Sequence, residues 1–125
     1  MKTNILTLVF TVTFGLVFAQ NKVEKCNKLA QEKQKTCKVN SIISLISDYV
    51  TYPKNALENL DEGTVYIRFT TNEQREISNL RALGNSNEEL AEAAKVAIEL
   101  FSKSENTALL ANNEIYRIPV RFELH

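Results

Sequence analysis

Apolar residues recur along this chain with two different periods, and each change of period marks an element. From Gly63 the period is two: Val65, Ile67 and Phe69 fall on one face and Thr64, Tyr66, Arg68 and Thr70 on the other, which predicts a half-buried antiparallel strand. Asn72 to Arg75 turn the chain. A second strand is expected from Glu76 to Leu83, where Ile77 and Leu80 share a face only if the strand is bulged. Gly84 to Asn87 read as a loop, and Ser86 and Glu89 have the reciprocal spacing of a capping box. Behind them Leu90, Ala93, Ala94, Ala97, Ile98 and Phe101 form a helical stripe broad enough to cover a small sheet. From Ser104 to Glu114 the sequence lacks Pro and Gly and holds one apolar patch, Ala108 to Ala111, so an extended helix and a short turn both fit. The end returns to period two, with Ile118, Val120, Phe122 and Leu124 alternating with Arg117, Pro119, Arg121 and Glu123. Pro119 cannot donate to a ladder, which puts this last strand at a sheet edge.

Upstream of the first strand the spacing is helical. Ile42, Ile43, Leu45, Ile46, Tyr49 and Val50 define a helix with Asn40 or Ser41 as its N-cap. It is expected to stop at Tyr52, because Pro53 restricts the residue before it, while Pro53 itself suits the first turn of a short helix through Leu57. The fold class that follows is α+β: a small two-layer domain over 41–125, a three-stranded antiparallel sheet with helices on one face, preceded by a helical leader over 20–40.

The first nineteen residues set the expected compartment. Lys2 gives a positive start, Ile5 to Phe18 form an apolar run of fourteen residues, and Val17-Phe18-Ala19 offers small residues at the cleavage positions. Met1 to Ala19 therefore read as a cleaved signal peptide, since a bilayer core asks for about 20 apolar residues. The mature chain is expected to be periplasmic or secreted. It touches the membrane only through this segment, if uncleaved.

Charge is unevenly spread in a chain whose formal net charge is zero. Residues 20–40 carry six Lys against two Glu, a balance of +4, and residues 41–125 carry eight basic against thirteen acidic residues, a balance of −5. The leader has neither Arg nor aromatics, so it reads as a solvated helix face and not as a nucleic-acid surface. Within it Val23, Cys26, Ala30 and Cys37 share one helical stripe. A straight helix would hold the two thiols about 16 Å apart, at about 1.5 Å per residue, whereas a disulfide needs Cα atoms within about 7 Å. Either the leader bends near Gln31 to Lys35 and the pair closes, or the thiols pair between chains or stay buried. The bent form is preferred for an exported chain, where free thiols meet oxidants.

Catalysis and metal binding find little to work with. Two Cys alone are no zinc site, His125 is the only histidine, and three Gly supply no phosphate-binding loop. The acidic run Glu88, Glu89 and Glu92 belongs to a helix N-terminus, where the dipole favours it. The reading is of a non-enzyme without cofactor.

One stretch carries a further signal. Tyr52 to Phe69, YPKNALENLDEGTVYIRF, holds a Tyr-Pro-x-x-Ala turn into a short helix and a Gly63-Thr64-Val65 strand start. A second strand, a helix and a final Ile118-Pro119-Val120-x-Phe122 strand follow. This series resembles the C-terminal domain of the TonB energy-transducer family over residues 52–124. Members commonly place a Gly in the hairpin turn, where this chain has Gln74 and Arg75, and an aromatic and a Pro in the connection after the helix. The resemblance implies a protein-binding module that takes an extended N-terminal segment of a TonB-dependent outer-membrane receptor as an added strand. Tyr116, Arg117, Arg121 and Glu123 are then the candidate contacts. Read from the residues alone, Arg117 and Arg121 serve equally as charged gatekeepers of an edge, or a second copy of the chain closes it. Energy transduction itself is not expected, because a transducer uses a transmembrane helix and a long Pro-rich linker, and this chain has two Pro. A self-associating structural protein and a small secreted ligand or inhibitor on the same scaffold are the competing readings.

Overall fold

The structure, a computed structural model, describes residues 23–84 and 87–125. The expected signal peptide, Met1 to Ala19, lies outside the described residues, as does Ser86.

The leader folds back on itself as the bent reading requires. Residues 23–27 are helical, the chain turns at Lys28 and Leu29, and helix α1 runs from Gln31 to Ser47. The Cys26–Cys37 disulfide joins the two arms with Cα atoms 5.4 Å apart. Gln34 Nε2 closes the turn by donating to the carbonyls of Asn27 at 3.2 Å and Leu29 at 3.0 Å. The bend therefore sits just ahead of the expected Gln31 to Lys35.

Two helix boundaries differ from the sequence expectation. No helix begins at Asn40 or Ser41; both lie inside α1, whose first half is held by the disulfide and whose second half buries Ile42, Leu45 and Ile46. A capping residue acts only where the preceding turn is not already helical. At the other end α1 stops at Ser47, the chain turns at Asp48 and Tyr49, and residues 50–53 lead without regular structure into the next helix. That connection brings Tyr52 edge-on to Phe122, ring centroids 5.5 Å apart, with the Tyr52 hydroxyl donating to the Asp61 carbonyl.

Helix α2, Lys54–Glu58, starts after Pro53 and is closed off by Leu60, two residues past its end, which takes a left-handed φ of 57° while Asp61 N–H reaches back to the Ala56 carbonyl at 2.8 Å. Strand β1, Gly63–Thr71, then crosses the middle of the sheet and buries Val65, Ile67 and Phe69. Strand β2, Ile77–Leu83, returns antiparallel to it. The hairpin turn manages without glycine because Asn72 Oδ1 accepts from Gln74 N–H and Glu76 N–H, both at 2.9 Å, and Arg75 takes a φ of 63°. The expected bulge is present: the register slips between Arg68 and Thr70, so that Asn79 and Leu80 together face Phe69, with Asn79 at a φ of 56°.

Helix α3, Glu88–Ser102, is capped by Asn87, whose Oδ1 accepts from Glu89 N–H at 2.9 Å and Leu90 N–H at 3.3 Å. The expected stripe lies inward, with Leu90, Ala94, Ala97, Ile98 and Phe101 buried. The connection after it is a 3-10 turn, Glu105–Leu109, which buries Leu109 and hands on to a buried Leu110. Strand β3, Ile115–Phe122, completes a sheet of order β2-β1-β3. Helix α1 lies against β3 and α3 against β1 and β2, so one face of the sheet is the core and the other is open.

Candidate partner-binding edge

With β1 in the centre, each outer strand has one side on which no strand pairs among the described residues. The direction of each backbone group on β3 is fixed at its start. Thr71 N–H donates to the Glu114 carbonyl at 2.9 Å, and Thr71 Oγ1 accepts the Glu114 N–H at 2.9 Å. Glu114 thus turns its backbone toward β1, and alternation sends Tyr116, Ile118, Val120 and Phe122 the same way. The backbones of Ile115, Arg117, Pro119 and Arg121 face outward. Pro119 occupies one of these outward positions, where its missing N–H costs the ladder nothing. Leu124, of the inward set, donates its N–H to Glu62 Oε1 at 3.0 Å and ties down the strand end.

Side chains alternate with the backbone. Tyr116, Ile118, Val120 and Phe122 are buried, while Ile115, Arg117 and Arg121 are exposed on the open face. Of the four residues the sequence singled out, Arg117, Arg121 and Glu123 lie together on that exposed side. Tyr116 stands apart in the core. Its ring stacks on Phe69 with centroids 5.2 Å apart, and its hydroxyl accepts the Ala111 N–H at 2.8 Å. It shares its parity with Ile118, Val120 and Phe122, a signal already present in the sequence.

Burial pushes the Tyr116 phenol above its ordinary pKa; the Ala111 N–H works against that rise and the Glu114 carboxylate adds to it. A phenol whose pKa is higher in the folded than in the unfolded chain contributes stability below the unfolded value, and this is lost as pH rises through the folded value. Urea midpoints are therefore expected to fall above about pH 10, and to fall less steeply there in Tyr116→Phe.

Beside the start of β3 a cavity of about 270 Å³ opens between α1 and the 3-10 turn, with Lys38, Val39, Leu110 and Tyr116 in its lining. Lys35 and Glu114, also on that lining, pair at 3.7 Å. The leader half of α1 therefore flanks the edge. Among the described residues no cluster of three or more His, Cys, Asp and Glu is placed to hold a metal ion.

The sheet also assembles something that sequence reading missed. Register sets Arg68 of β1 opposite Arg81 of β2 on one side and Arg117 of β3 on the other, and Arg121 opposite Thr64. The available signal was an arginine at open-face parity in every strand; the register that aligns three of them is a tertiary property.

The family model for the Gram-negative bacterial TonB protein C-terminal matches residues 48–124. The chain belongs to that family. TonB C-terminal domains are non-catalytic protein-interaction modules of envelope transport. The fold agrees with solution structures of the TonB C-terminal domain of Helicobacter pylori. One is 24% identical, with a TM-score of 0.55, covering 69% of this chain and 92% of that one. A longer piece of the same TonB is 22% identical, with a TM-score of 0.57, covering 82% of this chain and 92% of that one. At these identities the likeness is one of fold. No curated protein matches the chain. Among the described residues no helix of this TonB-like chain is long and apolar enough to cross a membrane.

Proposed function

We propose that this chain is an exported, non-catalytic binding module of the bacterial envelope that takes an extended peptide of an outer-membrane or periplasmic protein as a fourth strand on β3. The observation that carries this reading is the outward backbone of Ile115, Arg117 and Arg121 on an edge strand whose inward groups are all committed to β1. Main-chain hydrogen bonds along such an edge supply affinity, and side chains at alternate positions supply selectivity. A TonB-dependent receptor is the partner class that the family suggests.

Charge opposes closure of the edge by a second copy in the register centred on its midpoint. An antiparallel β3–β3 pair centred on Pro119 would set Arg117 against Arg121 twice, and like charges directly opposite destabilise a sheet.

The test is a backbone NMR titration of the disulfide-bonded mature chain with extended N-terminal peptides of co-expressed outer-membrane receptors. Shifts confined to Ile115 through Phe122 and the adjoining part of β1 are expected. Absence of shifts at millimolar peptide, together with a stable dimer, overturns the reading. In Ile115→Pro one outward N–H is deleted at the first residue of an edge strand, where proline is tolerated. That variant is expected to keep its fold and to bind about threefold to tenfold more weakly, the worth of one main-chain hydrogen bond.

A further inference from the structure

Three arginines stand in register across all three strands, Arg81, Arg68 and Arg117, and a fourth, Arg121, lies farther along β3 on the same face. The three strands contain no Asp, Glu or Lys. Two inter-strand spacings put the ends of the row about 10 Å apart. Among the described residues none of the four side chains has an ion pair or a hydrogen bond, whereas Arg75 donates to Asn112 Oδ1 and the lysines Lys35 and Lys95 have found Glu114 and Glu92. The acids nearest the strand ends are partly committed: Glu62 accepts from Leu124 N–H and Glu76 from Asn72 Nδ2. Glu123 lies beyond Arg121 at the end of the face.

Such a row works against folding, since like charges directly opposite one another destabilise a sheet. Gatekeeping of edges would account for Arg81, Arg117 and Arg121, which sit on outer strands. It does not account for Arg68, which sits on the central strand with an arginine on either side. A partner that brings negative charge to this face accounts for all four.

The edge fixes where that charge would stand. Arg117 and Arg121 are outward-facing residues of β3, so the residues of an added strand that lie beside them send their side chains to the same open face. One such residue becomes the fourth member of the row Arg81, Arg68, Arg117. The other, four positions along the added strand, lies beside Arg121. Between them, the residue beside Pro119 lies against the proline ring, with an exposed Tyr66, the partner of Pro119 on β1, one strand farther in.

We propose that the open face of the sheet makes this edge selective for an acidic strand, with Asp or Glu beside Arg117 and beside Arg121 and an apolar residue midway between them. The inference rests on the strand-addition reading and narrows it to a partner of stated chemistry: an extended segment of the form acidic, any, apolar, any, acidic, which reads the same in either chain direction. Guanidinium groups suit it because each can hold a carboxylate through two parallel hydrogen bonds.

Three synthetic ten-residue peptides of one β-prone composition, carrying Glu, Gln or Lys at the two positions, test this by NMR titration of the disulfide-bonded chain at low salt. The Glu peptide is expected to bind about fivefold to tenfold more tightly than the Gln peptide, from two exposed charge pairs, and to lose that advantage at high salt and in Arg68→Gln/Arg117→Gln. Equal binding of the Glu and Gln peptides, with shifts at the outward amides of β3, leaves strand addition standing and overturns the acidic selectivity. Shifts from the Glu peptide at Arg68 and Arg81 without shifts along β3 overturn the placement on the edge. No binding by any peptide overturns both readings. Tight binding to phosphatidylglycerol vesicles without preference among the peptides assigns the arginines to a lipid surface and overturns the inference as well.

Discussion

Reduction of the Cys26–Cys37 bridge is expected to free the leader arm while leaving the sheet intact. The bridge spans a sequence separation of 11 residues. In the chain-entropy account a loop of that size is worth about 3 kcal/mol, or roughly a hundredfold in an opening equilibrium. The arm docks through few side chains, chiefly Cys26, which is fully buried, and Val23, which packs on the edge of the core. Without the cross-link these contacts hold eight residues or so against their own conformational entropy, at about 1 kcal/mol or more each. Amides of residues 23–30 should therefore exchange about a hundredfold faster in reduced protein or in Cys26→Ser/Cys37→Ser, with the rates of Val65, Ile67 and Ile118 little changed. Uniform acceleration across the sheet would mean that the arm and the core unfold as one unit.

A larger loss is expected from Phe122→Ala. Phe122 is 1% exposed, closes the C-terminal end of β3 and meets Tyr52 edge-on. Emptying a site of this size in a close-packed core costs about 3–5 kcal/mol, a large part of the 5–15 kcal/mol that typical domains possess. Urea unfolding should show the unfolding free energy fall by that amount, and Phe122→Leu, which keeps most of the volume, should lose clearly less. The defect also sits one residue from Arg121, so peptide binding should weaken under conditions where Phe122→Ala still folds. A variant that loses stability and keeps undiminished affinity would show that the end of β3 takes no part in the edge.

What could be read from the residues follows from the range of the forces involved. The alternation of Val65, Ile67 and Phe69 and the α3 stripe are local patterns that one buried face dictates, and both appear as expected. The bulge was legible because Ile77 and Leu80 could not otherwise share a face. Competition between equally competent groups was not legible. Ser86 and Asn87 are both good caps; the structure uses Asn87, whose Nδ2 also donates to Asp61 Oδ2 at 3.2 Å from across the domain. Asn40 and Ser41 look like a helix start, yet the disulfide keeps the preceding turns helical and carries α1 through them. At the edge, Arg117, Arg121 and Glu123 were accessible to strand reasoning. The alignment of Arg68 with Arg81 was not, because it depends on how the hairpin pairs.

The bulge at Asn79 gives the two borders of the sheet unequal capacities. A left-handed residue and a slipped register interrupt the regular spacing of donors and acceptors along β2, whereas β3 runs unbroken from Ile115 to Phe122. A strand that joins β3 therefore finds no matching vacancy on the far side of the next molecule. Association should end at one guest per domain, and the molecule can keep an adhesive border without seeding a fibre.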